Sequence, residues 1–286
     1  MDLNFLLEAI LMIWKKDKLK PTQPYLILNT ENFQQKVILQ NGISYFYQFD
    51  LPEDMLIPVV PDGCVNFLFT YSHGSMRAYV CGTKPQYTTE QFLKGTTFGV
   101  CFMPGLQPDF LDVKTKKLLE SRIELGPILL GEKKWLDDIT DASTFEERIQ
   151  IILGSSIPLD AEKKELFGKK QLFNNVKQLM YDSDGKIRIG EIQELSGYTN
   201  RYINKVFLEE MGYSPKIFCK IIQFQRAIEF LNDGSKDKMT DAAVELGYYD
   251  QPQFIRDFKR YAGITPKKYQ QLRRREEYRE KFDKLD

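Results

Sequence analysis

Residues 197–215 read GYTNRYINKVFLEEMGYSP, and residues 247–266 read GYYDQPQFIRDFKRYAGITP. Gly197 and Gly247 are each followed by Tyr, and a Phe stands five positions before a second Gly (Phe207 before Gly212, Phe258 before Gly263). Pro215 and Pro266 each follow that second Gly by three residues. Self-similarity at a period of about fifty residues reports a duplicated supersecondary unit. Each copy has the form of the second half of a helix-turn-helix.

Working outward, the helices can be placed one by one. A helix over Ile189–Ser196 puts Ile192 and Leu195 inward at helical spacing. Gly197 permits the tight turn after it, and Thr199 or Asn200 caps the next helix, which runs to about Met211 with Ile203, Val206 and Phe207 inward. A long helix opens at Ser214-Pro215, reaches Leu231 and is stopped by Asn232-Asp233-Gly234. In the second copy Thr240 caps a helix to Leu246, Gly247 turns, and Asp250 caps a helix ending near Tyr261. Thr265-Pro266 starts a last, highly charged helix, in which Arg273-Arg274-Arg275 meets Glu276-Glu277 as a solvated, pair-forming face.

A helix-turn-helix lays its second helix in the major groove, so the outward side chains of that helix are the candidate readers. In the first copy they are Arg201, Asn204 and Lys205; in the second, Gln251, Gln253 and Arg256, with Lys259 and Arg260 placed for phosphates. Arg pairs bidentately with guanine, and Asn or Gln with adenine. The charge balance permits this reading without demanding it. Lys+Arg and Asp+Glu both number 40, but residues 174–286 hold 21 basic and 18 acidic side chains, a net of +3.

The segment AAVELGYYDQPQFIRDFKRYAGITPKKY (242–269) resembles the most diagnostic stretch of the arabinose-regulator (AraC/XylS) family of bacterial transcription factors, and the resemblance extends over 187–270. It implies seven helices, two helix-turn-helix units and base contacts from Arg201, Asn204, Lys205, Gln251, Gln253 and Arg256. Three positions depart from the family pattern: Gln193 replaces a small scaffold residue, Gln223 a common Arg of the linking helix, and Pro252 a small polar residue.

Residues 24–112 differ in character. Short runs rich in Val, Ile, Phe, Tyr and Thr (YLILNT, ISYFYQF, CVNFLFTY, AYVCGT, TTFGVCFM) are broken by Gly, Pro, Asn and Asp, the pattern of an antiparallel barrel or sandwich. Residues 132–152 and 161–181 then read as helices, with GSSIP (154–158) between them. VVPDGCVNFLFTY (59–71), CGT (81–83) and FGVCFMPG (98–105) are similar to the cupin-like sensor domain that precedes such DNA-binding domains. By that analogy Asp62, Asn66, Cys101 and Met103 are the effector-pocket candidates, against the more common structural roles of a PDG turn for Asp62 and Gly63 and barrel packing for Cys101 and Met103. Phe46, Phe67, Phe69 and Phe102 would suit an apolar effector or, more often, simply form core.

The expected fold class is thus an α+β multidomain chain: an N-terminal cupin-like β-barrel with flanking helices, then an all-α domain with two helix-turn-helix units. The expected division is 1–153 for the sensor and dimerisation domain, 154–185 for a helical linker and 186–286 for the DNA-binding domain, with the two units at about 189–211 and 240–261. Double-stranded DNA is the expected partner, alongside a small apolar or mixed effector, RNA polymerase and a second copy of the chain. The alternatives are a regulator controlled by a protein partner and a cupin-like enzyme.

Catalysis has little to draw on. His73 is the only histidine, which removes His-rich metal sites and a Ser-His-Asp triad, and no GxSxG, HExxH or Gly-rich phosphate loop occurs. Cys64, Cys81, Cys101 and Cys219 are far apart with no CxxC pair, so reduced buried thiols are expected, with no metal centre and no cofactor. The apolar run 3–14 (LNFLLEAILMIW) is too short to span a bilayer and reads as an amphipathic or dimer-contacting helix. A cytoplasmic location without membrane partners follows as the expectation.

Overall fold

Strand alternation decides what the N-terminal half buries. The computed structural model describes residues 19–40, 42–106, 108, 110–155, 168–233 and 239–282. The apolar run 3–14 and the first part of the helix expected over 161–181 lie outside them. After a short helix α1 (Pro24–Asn29) come β1 (Glu31–Gln40), β2 (Ile43–Leu51), β3 (Met55–Val59), β4 (Asn66–Ser72), β5 (Ser75–Cys81), β6 (Thr88–Phe92) and β7 (Gly95–Phe102). Then follow α2 (Thr115–Leu118), β8 (Arg122–Glu124), α3 (Leu125–Ile128), α4 (Lys134–Asp141) and α5 (Phe145–Gly154). The strands form an antiparallel six-stranded sheet in the order β1-β2-β7-β4-β5-β8 and a separate β3–β6 ladder. Phe49 of β2 meets Phe92 of β6 edge-on at 5.6 Å, so the ladder closes over one face of the large sheet.

Side chains point alternately to the two faces of a strand. On β2, β4 and β7 the ladder-facing set is Tyr45, Tyr47, Phe49, Leu68 and Cys101. The opposite set is Phe46, Phe67, Phe69, Phe98, Val100 and Phe102, which packs on Trp135 and Ile139 of α4 and Ile149 and Ile152 of α5. Phe46, Phe67, Phe69 and Phe102 therefore line no effector chamber. They are the sheet-to-helix core, each 0–1 % exposed. Their one-residue offset from the tyrosines sends them to the other side.

The helix expected over 132–152 is two. It breaks at Ala142–Thr144, where Thr144 and Glu147 form a capping box that starts α5. Arg148, buried on α5, is satisfied by Tyr71 Oη at 3.2 Å, the Ala142 carbonyl at 2.8 Å and Gln48 Oε1 at 2.5 Å. His73 sits with Gly74 in the two-residue turn joining β4 to β5, at φ 51° and 75°. That is the positive-φ pair of a tight hairpin, and it gives the lone histidine a turn-forming role.

The helical half comprises α6 (Lys169–Asp182), α7 (Ile189–Ser196), α8 (Asn200–Glu210), α9 (Pro215–Asn232), α10 (Met239–Glu245), α11 (Gln251–Ala262), α12 (Pro266–Arg273) and α13 (Glu276–Phe282). Among the described residues six helices, α7 to α12, begin within 187–270, against the seven that the resemblance implies, and α13 starts beyond that range. The last charged helix is not continuous, because Arg274 caps α12 before α13 begins and Arg273 turns inward to donate to the Leu231 carbonyl at 2.9 Å. Helix α10 already includes Thr240, so that residue does not cap it. Leu195 points outward at 66 % exposed, while Ile192 is fully buried. Helix α7 has only eight residues and presents a single inward row.

One check concerns the sheet face turned to α4 and α5. Phe98 stacks on Phe46 at 5.9 Å and meets Phe145 edge-on at 6.0 Å. Phe98→Ala is expected to lower the unfolding free energy by about 3–5 kcal/mol. A loss below about 1 kcal/mol in denaturant unfolding would show that this face is not core.

Candidate nucleic-acid interface

The four repeated glycines share one backbone task. Gly197, Gly212, Gly247 and Gly263 have φ of 73°, 80°, 74° and 74°, the left-handed region in which a side chain is strained. Phe207 and Phe258 are buried, and Pro215 and Pro266 occupy the first turns of α9 and α12 behind the caps Ser214 and Thr265. The repeat therefore encodes scaffold, and the outward residues are free to differ.

They do differ once the helices are aligned on their caps. Thr199 caps α8 by accepting from Tyr202 N, and Asp250 caps α11 by accepting from Gln253 N. One residue separates Gly197 from its cap, but two separate Gly247 from its own. The extra residue is Tyr249, 94 % exposed. In this frame Arg201 corresponds to Pro252 and Asn204 to Ile255, and only Lys205 and Arg256 occupy equivalent positions. The two outward faces are different surfaces on a common frame.

The candidate readers divide by reach. Arg201, Lys205, Arg256, Lys259 and Arg260 are exposed. Asn204, Gln251 and Gln253 are half-buried; Asn204 Nδ2 donates to the Asn200 carbonyl at 2.9 Å, and Gln253 Oε1 accepts from Tyr249 N at 3.1 Å. The five cations project, and two of the three amides are engaged with their own helix ends. Helix α11 finishes on Lys259 and Arg260, where cations also favour the negative end of the helix dipole. Helix α8 finishes on exposed Leu208 and on Glu209, which pairs with Lys169 of α6 at 2.7 Å.

Gln193, the bulky departure in α7, is exposed and makes itself useful: its Oε1 accepts from Asn200 N at 3.2 Å, holding the start of α8. Ala243, its counterpart in α10, is buried. Helix α11 is tied to α9 by Lys220, whose Nζ lies 3.0 Å from Asp257 Oδ2 and 5.1 Å from the Tyr248 ring centre.

In the N-terminal half, two of the four effector candidates come together. Asp62 and Cys101, 4 % and 0 % exposed, cluster with Cys64 so that their ligand atoms lie within 4.8 Å of one another. Asn66 is Cys101's register partner on β4, and its Oδ1 accepts from Tyr47 Oη at 3.4 Å. Met103, half-buried beyond β7, is fixed by its backbone N–H to the Gly42 carbonyl at 2.8 Å. Burial pushes the Asp62 carboxyl up to about 6, against the pull of Cys64 N and the Gln23 amide. Burial also drives the Tyr45 and Tyr47 hydroxyls well above the ordinary tyrosine range. All four cysteines are free and buried. Cys64 is the residue that sequence spacing passes over: it lies two positions from Asp62 but 37 from Cys101, and only the β4–β7 pairing joins them.

A β-rich domain followed by two helix-turn-helix units on one shared helix defines the class of protein. Residues 193–272 match a family model described as a helix-turn-helix domain, and residues 32–124 match one described as a domain of unknown function. The uncharacterized HTH-type transcriptional regulator YtdP of Bacillus subtilis (strain 168) is 26% identical over 184 residues, 60% of this chain and 24% of its own length. The Msm operon regulatory protein of Streptococcus mutans is 23% identical over 113 residues, 39% of this chain and 40% of its own. The chain thus spans 24% and 40% of these two relatives. ToxT from Vibrio cholerae covers 84% of the chain and 97% of itself at 14% identity, but a TM-score of 0.42 is too distant a likeness to carry detail across. Residues 193–272 are thus a helix-turn-helix domain of the AraC type.

The caps are directly testable. Asp250→Ala removes the acceptor at the start of α11 and is expected to cost about 1 kcal/mol of stability in denaturant unfolding. No measurable loss would mean that Asp250 does not hold that helix.

Proposed function

We propose that this chain is a sequence-specific DNA-binding transcription regulator that sets α8 and α11 into successive major-groove segments of one duplex. The observation carrying the reading is the pair of capped helix-turn-helix units joined by a single helix, α9, with exposed cations on both outer helices. At 1.5 Å per residue, the 18 residues of α9 span about 27 Å, against about 34 Å for one duplex turn, so the two outer helices reach neighbouring groove segments from its two ends. Arg201 and Lys205 then read from the first unit and Arg256 from the second, while Lys259 and Arg260 meet phosphates. Residues 186–286 supply this function, and residues 1–153 act as the sensing and dimerisation part.

A second layer of the proposal concerns control. The ladder-facing side of the large sheet is filled by Tyr45, Tyr47, Phe49 and Leu68, packed together with residues of α9 and α11. Whatever acts on the N-terminal half therefore acts against the DNA-binding half directly. The reading assigns the chain no catalytic role.

Binding to a site selected from a random duplex pool tests it. Arg201→Ala and Arg256→Ala are each expected to weaken binding by about 1–3 kcal/mol and relax preference locally. Lys259→Ala should weaken all sequences about equally and reduce the slope of log affinity against log salt by about 1. If Arg201→Ala and Arg256→Ala both bind the selected site like wild type, α8 and α11 are not the reading helices.

A further inference from the structure

Four features outside the reading helices stand out: the buried Asp62–Cys64–Cys101 cluster, the Lys84–Glu90–Arg122 ion cluster, the exposed apolar residues Leu195, Val244 and Tyr249, and the clefts beside His73 and beside β1. The ion cluster satisfies itself, with Lys84 at 2.5 Å and Arg122 at 3.2 Å from Glu90. Nothing shows what would cover the apolar residues, and the clefts bring together no cluster of ligating side chains. The buried cluster is different in kind.

Three potential donors converge there from two segments: a carboxylate and a thiol from the turn 61–64, and a second thiol from β7. We propose that Asp62, Cys64 and Cys101 form a binding site for one thiophilic divalent cation, zinc above all. Two sulfurs and one carboxylate oxygen suit zinc, and magnesium or calcium would demand an all-oxygen shell. Thiolates at 2.3 Å from a tetrahedral zinc ion sit about 3.8 Å apart, so donors within 4.8 Å of one another need draw in by at most about 1 Å.

Three features beyond proximity support the site. Gln23 holds the carboxylate as an outer-shell partner: its Nε2 donates to Asp62 Oδ2 and to the Val60 carbonyl, both at 2.8 Å, while its Oε1 accepts from Val60 N at 3.1 Å. Ligating carboxylates are commonly oriented by such bonds. Asp62 Oδ1 accepts from Cys64 N at 2.8 Å, which ties the two residues together within the turn. Asp62, Cys64 and Cys101 are also 4 %, 1 % and 0 % exposed, so a cation held there would offset, in the dry interior, the charge of the carboxylate and of thiols that give up their protons to it.

The position gives the ion a route to the rest of the molecule. Its turn is also the one that touches α9: Gln225 Nε2 donates to the Pro61 carbonyl at 2.7 Å, and a Cβ on Gly63 would lie 3.1 Å from Phe218 and 3.7 Å from Ile221. Fixing Asp62 and Cys64 on Cys101 fixes the surface on which α9 rests. This consequence rests on the DNA-binding reading above; ion binding itself does not.

The test uses the full chain without DNA first. Protein purified under reducing conditions is titrated with cobalt(II) as a spectroscopic probe and then with zinc in competition with a chromophoric chelator. One zinc per chain and a cobalt–thiolate charge-transfer band are expected. Cys64→Ser and Cys101→Ser should each weaken zinc at least about tenfold, Gln23→Ala about 10–100-fold, and Cys219→Ser should leave it unchanged. Wild-type protein that binds no zinc or shows no thiolate band overturns the proposal, as does unchanged affinity in both serine variants. If those variants fail to fold, the wild-type cobalt spectrum decides alone. Zinc is then added to wild type and to Cys101→Ser during binding to the selected duplex. A several-fold change in wild type alone supports the link through α9. Zinc bound with DNA affinity unmoved overturns that link only, and zinc bound by a chain that binds no duplex overturns the DNA reading while the site stands.

Discussion

Gln225, 1 % exposed in the middle of α9, is the interaction on which the assembly of this molecule turns. Its amide is committed to the N-terminal half: Oε1 accepts from Thr22 N at 2.8 Å, and Nε2 donates to the Pro61 carbonyl at 2.7 Å. A buried amide left without partners costs about 1–3 kcal/mol, so α9 is held in place in part by Pro61 and Thr22. Twelve of the 18 residues of α9 are buried, on all sides of the helix. A helix with no solvent stripe must be enclosed. One helix-turn-helix encloses its first half, the other its second half, and the turn 61–64 lies across its middle.

That enclosure is uneven. The first unit packs into a core of its own, where Phe207 meets Phe173 of α6 at 4.9 Å and Ile192, Ile203 and Val206 surround it. The second unit shares a continuous core with the ladder-facing side of the sheet through Tyr25 and Leu26. Tyr25 Oη donates to the Ala262 carbonyl at 2.6 Å at the end of α11, and Tyr87 lies so close to Gly263 that a Cβ there would sit 2.7 Å from its ring. The first unit meets the N-terminal half more sparingly, at Leu119 beside Gly212. Strain introduced in the sheet therefore reaches α11 through packed rings, and reaches α8 mainly by way of α9.

Much of the helical half was legible because backbone geometry writes itself plainly into sequence. A left-handed residue favours Gly, a first turn accepts Pro, and a cap favours Thr, Ser or Asp; all three recur in both copies. The strands were legible for a similar reason, through their β-branched and aromatic runs and their turn residues. What escaped was relational. Which face of β2 and β4 looks toward the ladder depends on register, so Phe46 and Phe67 could not be told from Tyr45 and Tyr47 by composition. The break at Arg274 depends on where Arg273 finds the Leu231 carbonyl, 42 residues earlier. The exposure of Leu195 depends on what packs on the far side of α7.

The same limit explains the buried cluster. Asp62, Gly63 and Cys64 look like a turn, and a turn they are: Asp62 accepts from Cys64 N, and Gly63 has φ 74°. Nothing local announces Cys101. Pairing of β4 with β7 sets Asn66 opposite Cys101 and so brings the end of the turn alongside the thiol. Burial then removes the water that would otherwise solvate the carboxylate, leaving Gln23 and one backbone N–H to do so. A turn that needed only to reverse the chain would be served by a solvated Asp or Asn at its surface. Placing the carboxylate inside, beside two thiols and against the helix that joins both helix-turn-helix units, is a cost that a turn alone does not explain, and the cation proposed for those three groups would offset it.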